Sequence, residues 1–168
     1  MTGSGKIVKQ LYGNKVRVRV CGLCKRNYEI LLIKHEGLGK DGILWSPPGG
    51  GMDFGFSAEE NLEREFLEET GLIIKVENFL FINEFLSDSL HAIELFFSVK
   101  DLGGALKTGI DPEMGGFNQI IKEVKFMNWS KINELKTTQK HNIFSNCSSL
   151  SDIFNLKGYF KFENNYIK

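Results

Sequence analysis

An α/β fold, with a mixed β-sheet between helices, is predicted for this 168-residue chain by three features. Runs with strand character recur at Lys15–Val20, Tyr28–Ile33, Phe79–Leu86, His91–Val99 and Glu123–Trp129. One helix, Ala58–Thr70, carries clear start and stop signals. The strands and helices alternate irregularly, with no internal repeat and no domain linker, which fits an α/β/α sandwich formed as a single domain over residues 1–168.

Composition sets the broad class. Apolar residues make up 42% and charged residues 25%, ordinary values for a globular domain with a sizeable core. The 21 basic and 21 acidic residues cancel, so no nucleic-acid partner is implied. No apolar run spans a bilayer and no secretion signal is visible, so the expectation is a cytoplasmic protein without a membrane partner. The acidic residues are unevenly placed: seven of the 21 fall between Asp53 and Glu69, a hint of a cation site.

Taken in order, Met1 to Gly5 is small, and residues 1–6 read as a flexible tail. In Lys15–Val20, Val16, Val18 and Val20 alternate with Arg17 and Arg19, the period of a half-buried strand. Cys21 and Cys24 have zinc-knuckle spacing but no second pair, so they read as buried or half-buried thiols where one strand turns into the next. Cys147 completes an odd, sparse set of three. After a turn at Lys25–Asn27, Tyr28–Ile33 is more uniformly apolar, and the Gly-rich segment Gly37 to Gly42 reads as a loop. Trp45-Ser46-Pro47-Pro48 and the triple glycine Gly49-Gly50-Gly51 read as irregular backbone.

Ser57 then offers a helix N-cap, with Glu60 three residues on to close a capping box, and Gly71 supplies the stop. Two long strand-like runs follow, then a glycine-rich loop from Leu102 to Phe117 that holds Asp111-Pro112-Glu113. Glu123–Trp129 precedes a short helix, Lys131–Leu135, for which Ser130 looks like the cap. Residues 145–168 read as a C-terminal helix and a polar, aromatic tail.

The chemistry concentrates in the helix Ala58–Thr70. At 100° per residue Glu65, Glu68 and Glu69 share one stripe about 100° wide. Like charges at these spacings repel by a few tenths of a kcal/mol per pair, roughly, and two of them sit where the helix dipole disfavours negative charge. A bound divalent cation removes the conflict; a solvated acidic face is the bland alternative. Carboxylates without thiolates or clustered imidazoles suit Mg²⁺ or Mn²⁺, which complete their shells with water and substrate phosphate. The upstream glycines permit the close backbone approach a phosphate and metal site needs. No P-loop and no dinucleotide-binding glycine motif is present.

These residues resemble the Nudix box, G-x5-E-x7-R-E-U-x-E-E-x-G-U with U apolar. Laid from Gly50, the pattern meets Arg64, Glu65, Phe66, Glu68, Glu69, Gly71 and Leu72 at the required spacings. The departure is Phe56, which stands where the pattern has glutamate and leaves Arg64 to pair with Asp53, Glu60 or Glu68. Trp45 to Gly51 and Glu123 to Leu135 are similar to the family's flanking segments, so the resemblance runs from about Lys15 to Leu135.

The resemblance implies metal-dependent hydrolysis of a diphosphate linkage in a nucleoside diphosphate joined to a second moiety. It implies Mg²⁺ or Mn²⁺ held by Glu65, Glu68 and Glu69 with the Gly50 carbonyl, and Arg64 orienting a glutamate. Glu68, Glu69, Arg64 and a general base make the catalytic set; Glu123 is the first candidate for that base and Glu113 the second. Specificity lies in loops outside the box. ADP-ribose or a nucleotide sugar is favoured on family frequency, with dinucleoside polyphosphates and nucleoside triphosphates open. Phe54, Phe81 and Phe85 are candidates to stack on a base, and core packing is the alternative for each. A non-catalytic nucleotide sensor of the same fold is the competing function, disfavoured because all three box glutamates are present. A homodimer is compatible with the resemblance, and no motif decides it.

Overall fold

The computed structural model describes residues 3–87, 90–112 and 119–162. Its elements run in chain order as α1 (Gly3–Tyr12), β1 (Val16–Arg26), β2 (Glu29–Glu36), β3 (Ile43–Ser46), β4 (Gly49–Gly51), α2 (Ala58–Thr70), β5 (Leu72–Ser87) and β6 (Leu90–Gly104). After β6 come β7 (Ile121–Asn128), α3 (Trp129–Glu134), two short 3₁₀ turns at Thr137–Gln139 and Asn142–Phe144, α4 (Leu150–Asn155) and β8 (Gly158–Phe160). The strands form one mixed sheet in the order β3-β2-β1-β6-β5-β8, with β4 added on β1 and β7 on β2. β1 runs parallel to β6 from Val16–His91 to Cys24–Val99, while β5 and β6 form a long antiparallel ribbon.

Two apolar layers sandwich this sheet. On one face Leu62 and Phe66 of α2 pack with Val20, Cys24, Leu31, Leu72, Ile74, Phe97 and Val99. On the other, Cys21, Leu23, Phe81 and Phe96 pack with Ile132, Ile143, Phe144, Leu150 and Ile153 from the C-terminal helices and turns. The alternation of side chains along β1 sends Cys21 and Cys24 to opposite layers, which disposes of the zinc-knuckle reading. Both thiols are buried within β1 instead of at a strand end, and Cys147 is half-buried. Burial pushes Cys24 up to about 12 and Cys21 further, so neither is a reactive thiolate at neutral pH.

Helix α2 has the expected bounds. Ser57 accepts from the Glu60 amide, the Glu60 side chain answers the Ser57 amide, and Gly71 closes the end in a left-handed conformation at φ 73°. Elsewhere tertiary contacts extend or revise the local reading. The segment expected as an N-terminal tail is helical from Gly3, and the helix is anchored at its end where the Arg17 guanidinium lies 3.7 Å from the centre of the Tyr12 ring. The triple glycine is not irregular: it forms β4, antiparallel to Arg19–Cys21. The short helix after β7 is capped by Asn128, which accepts from the Lys131 amide at 3.0 Å, so α3 starts one residue before Ser130. β5 and β6 are longer than their apolar runs because pairing with each other satisfies the polar ends as well. β8 was not foreseen; it adds to β5 in parallel opposite Phe81–Asn83.

Candidate active site

β4 passes directly under α2, and this contact builds the site. A Cβ on Gly50 would lie 2.3 Å from Glu65 Oε1 and 2.4 Å from its Cδ, so only glycine lets the strand run against that carboxylate. One residue earlier, the Gly49 amide donates to Glu69 Oε2 at 2.9 Å. Glu65 and Glu69 are both buried, one helical turn apart, and both border a cavity that opens beyond β4. Burial, reinforced by the charge of Glu65, holds the Glu69 carboxyl well above the usual carboxylate range against the opposing pull of the Gly49 amide and Arg19. The like-charge conflict seen in the sequence is therefore present, and in two of the three glutamates it is buried.

Arg64 sits at the centre of the remaining acidic groups. Its guanidinium pairs with Glu65 at 2.9 Å, Glu68 at 3.0 Å and Asp53 at 3.1 Å. Burial would lower its pKa, but the three carboxylates raise it on balance. Of the partners considered for Arg64 in the absence of a box glutamate at Phe56, Asp53 and Glu68 take the role; Glu60 is committed to the Ser57 cap. Phe56 itself is exposed and borders a surface groove with Phe54 and Met52, so it neither packs into the core nor lines the cavity.

The face of β1 that the alternation left open resolves in favour of charge. Val16 and Val18 are exposed, whereas Arg17 and Arg19 point into the cavity. Arg19 donates to the Gly49 carbonyl at 3.1 Å and lies 3.8 Å from Glu94 Oε1. Glu94, buried on β6, accepts from Asn83 Nδ2 at 2.8 Å through Oε2, and the same oxygen meets His141 Nε2 at 3.1 Å. Burial alone would raise the Glu94 carboxyl, yet His141, Arg19 and Asn83 hold it below its ordinary value. His35 also borders the cavity; burial and the nearby Arg19 charge lower it to about 4, so it is neutral. Asp111, brought in by a loop whose Gly109 amide donates to the Glu69 carbonyl at 2.9 Å, completes the acidic end.

The structure thus gathers Gly50, Glu65 and Glu69 at one end of the cavity and holds Arg64 and Glu68 beside them. It does not bring Glu123 there. Glu123 and Lys125 are two apart on β7, share a face of that strand, and pair with each other at 2.8 Å, each side chain 43% exposed. Glu113 lies outside the described residues. Sequence reasoning missed Arg19, Glu94, His141 and Asp111 as cavity residues; the unusual Arg17-x-Arg19 face was the one local signal. Among the described residues no three carboxylate, imidazole or thiol groups are gathered as a preformed metal cage, and Glu68 is turned to Arg64. The donor set nonetheless suits a hard divalent cation: two buried carboxylates against a glycine cradle, with no thiolate among them.

Comparison with known proteins agrees with this geometry. The NUDIX domain family model matches residues 13–146. An ADP-ribose pyrophosphatase from Methanocaldococcus jannaschii is 34% identical over 122 residues, covering 68% of this chain and 72% of that protein. A Nudix hydrolase from Nitrosomonas europaea superposes with a TM-score of 0.60 at 21% identity, over 71% of this chain and 76% of its own. A UDP-X diphosphatase gives a TM-score of 0.55 at 25% identity, over 77% of this chain and 58% of its own. The chain belongs to the Nudix family and is a Nudix hydrolase. Hydrolases of this family generally use a divalent metal and act on small nucleotide-like substrates. Among the described residues no helix is long and apolar enough to cross a membrane.

Proposed function

We propose that this enzyme hydrolyses the diphosphate linkage of a nucleoside diphosphate joined to a second moiety, of the ADP-ribose or nucleotide-sugar type, with Mg²⁺ or Mn²⁺. The observation that carries this reading is the buried Glu65–Glu69 pair against Gly50, bordering a cavity that Arg17 and Arg19 also line. Its substrate class is supported by likeness to an ADP-ribose pyrophosphatase and a UDP-X diphosphatase.

Glu65, Glu68, Glu69 and Gly50 are the residues we assign to the metal. A divalent ion held there supplies charge neutralisation to the diphosphate and acidifies the attacking water. Arg64 holds Glu65 and Glu68 in place through its two short ion pairs. Arg17 and Arg19 supply positive charge along the path of the diphosphate. For the general base we propose Asp111 in place of Glu123: two acidic residues outside the helix border the cavity, and the other, Glu94, is held by Asn83, His141 and Arg19. The compartment we propose is the cytosol, in keeping with three free cysteines.

The test is a panel of ADP-ribose, nucleotide sugars, dinucleoside polyphosphates and nucleoside triphosphates, assayed with Mg²⁺ and with Mn²⁺. Release of a nucleoside monophosphate, lost in Glu69→Gln and in Glu68→Gln, is the expected result. Asp111→Asn should lower turnover by about 10²-fold or more. Metal-independent turnover, or full activity in Glu69→Gln, would remove the assignment.

A further inference from the structure

A sheet with one face in water ordinarily turns its apolar residues inward and its polar residues outward. At the Val16 end of β1 this order is inverted, because Arg17 and Arg19 point into the cavity and the valines between them point out. The strands beside β1 repeat the inversion. In register across β1, β6, β5 and β8, the outer face reads Val16–His91–Leu86, then Val18–Ile93–Glu84, then Val20–Leu95–Ile82–Tyr159. Partners in register share a face, so these side chains form one surface on the side of the sheet away from the cavity.

Helix α2 covers the far half of this face, over Val20, Leu72, Ile74, Phe97 and Val99. The near half is open: Val16 is 59% exposed, Val18 45% and Tyr159 58%. Leu86 is exposed as well, and Ile82, Ile93 and Leu95 are half-buried. The one carboxylate there is used within the face, since Glu84 accepts from the Tyr159 hydroxyl and meets His91 Nε2 at 2.8 Å. Past β1 the apolar surface continues into a groove lined by Leu11, Met52, Phe54 and Phe56. Phe54, a candidate for stacking on a base, is fully exposed in this groove, whereas Phe81 is buried in the core. Scattered exposed apolar residues need no explanation; a contiguous apolar face marks a contact surface.

We propose that this open half of the outer face is the interface of a two-fold dimer, covered by the same face of a second copy of this chain. Sheets stack at about 10 Å, which is also about the thickness of a helix. Helix α2 therefore stands beside the open half as a step one layer high, and a second sheet laid there fills that layer. A two-fold axis across the strands sets the Val16 end of each copy against α2 of the other. The charges agree. The chain has no acidic residue before Glu29, and α1, which leads into Val16, carries exposed Lys6 and Lys9, while α2 carries exposed Glu59 and Glu63. Four strands at about 4.8 Å and five residues at about 3.3 Å give roughly 300 Å² of flat sheet. The groove past β1 carries this toward the roughly 800 Å² per partner of a standard interface. The cavity lies on the other face of the same strands, so both copies keep an open site.

The mass of the full chain in solution is measured by sedimentation equilibrium, with a melting curve to identify any variant that has not folded. The wild type should sediment at twice the mass of one chain. Val18→Glu sets a charge into the interface twice over and should raise the dissociation constant by about 100-fold or more. Val18→Ile should leave the dimer intact. Lys6→Glu with Lys9→Glu should raise the constant about 10-fold, as should Glu59→Lys with Glu63→Lys, and the four changes together should recover most of the loss. A chain that stays monomeric up to about 100 µM overturns the proposal and leaves the face to a different partner. A dimer indifferent to Val18→Glu in a folded protein overturns it too. Charge changes that add instead of cancelling reject the two-fold arrangement.

Discussion

Replacing Gly50 by alanine separates folding from function at this site. The new methyl group would lie 2.3 Å from Glu65 Oε1, 2.4 Å from Cδ and 2.7 Å from Oε2, against an ordinary contact distance of about 3.5 Å or more. Backbone does not block it; what must give is the end of one side chain, which has to retreat by about 1 Å. That retreat breaks the 2.9 Å pair with Arg64 and moves a carboxylate assigned to the metal. Misplacement on this scale costs about 10²-fold in rate, whereas overpacking of one methyl costs about 1–3 kcal/mol of stability. For a domain of this size that is a melting-temperature fall of roughly 2–12 °C, which leaves the protein folded at assay temperature. The assay is steady-state hydrolysis beside a thermal melt. Gly42→Ala is the control: it has φ 72° and nothing within 4 Å, so alanine there strains the backbone and leaves the site alone. Wild-type kcat in a folded Gly50→Ala protein would refute the reasoning.

Glu123→Gln should change kcat by less than about 2-fold, because its carboxylate pairs with Lys125 outside the cavity; a fall approaching the 10²-fold typical of a lost general base would reinstate it. Ser57→Ala removes the hydroxyl half of the capping box, keeping the backbone amide to Glu60, and should cost about 1 kcal/mol, read as a melting-temperature drop of roughly 2–4 °C with kcat little changed. Glu94 makes stability depend on pH. Its folded pKa lies below the unfolded carboxylate value, so its contribution is present above the unfolded value and is lost as pH falls through the folded one. The stability gap between wild type and Glu94→Gln, measured by denaturant titration, should therefore be full at pH 6 and shrink below about pH 4. A gap that widens on acidification contradicts this account.

Helix α2, its caps and its acidic stripe were legible in the sequence because every interaction that defines them spans four residues or fewer. The box around that helix carried the family and the reaction class for the same reason. The rest of the site was not legible, because it depends on partners far apart in the chain. Alternation along β1 said that its two faces differ, but which face is covered depended on β6, which begins more than 70 residues later and runs parallel to it. Three glycines in a row carry no strand signal of their own; β4 exists because β1 pairs with it and Glu65 needs the space above Gly50. Glu123 had the spacing of a base and is turned away by the pairing of its strand, while Asp111 is carried in by a loop fastened to the end of α2. Short-range capping and charge spacing thus determined helix α2 and its acidic stripe from sequence alone. Long-range strand register decided which other charges line the cavity, since register is set by pairing energy summed over the whole sheet and not by any local run of residues.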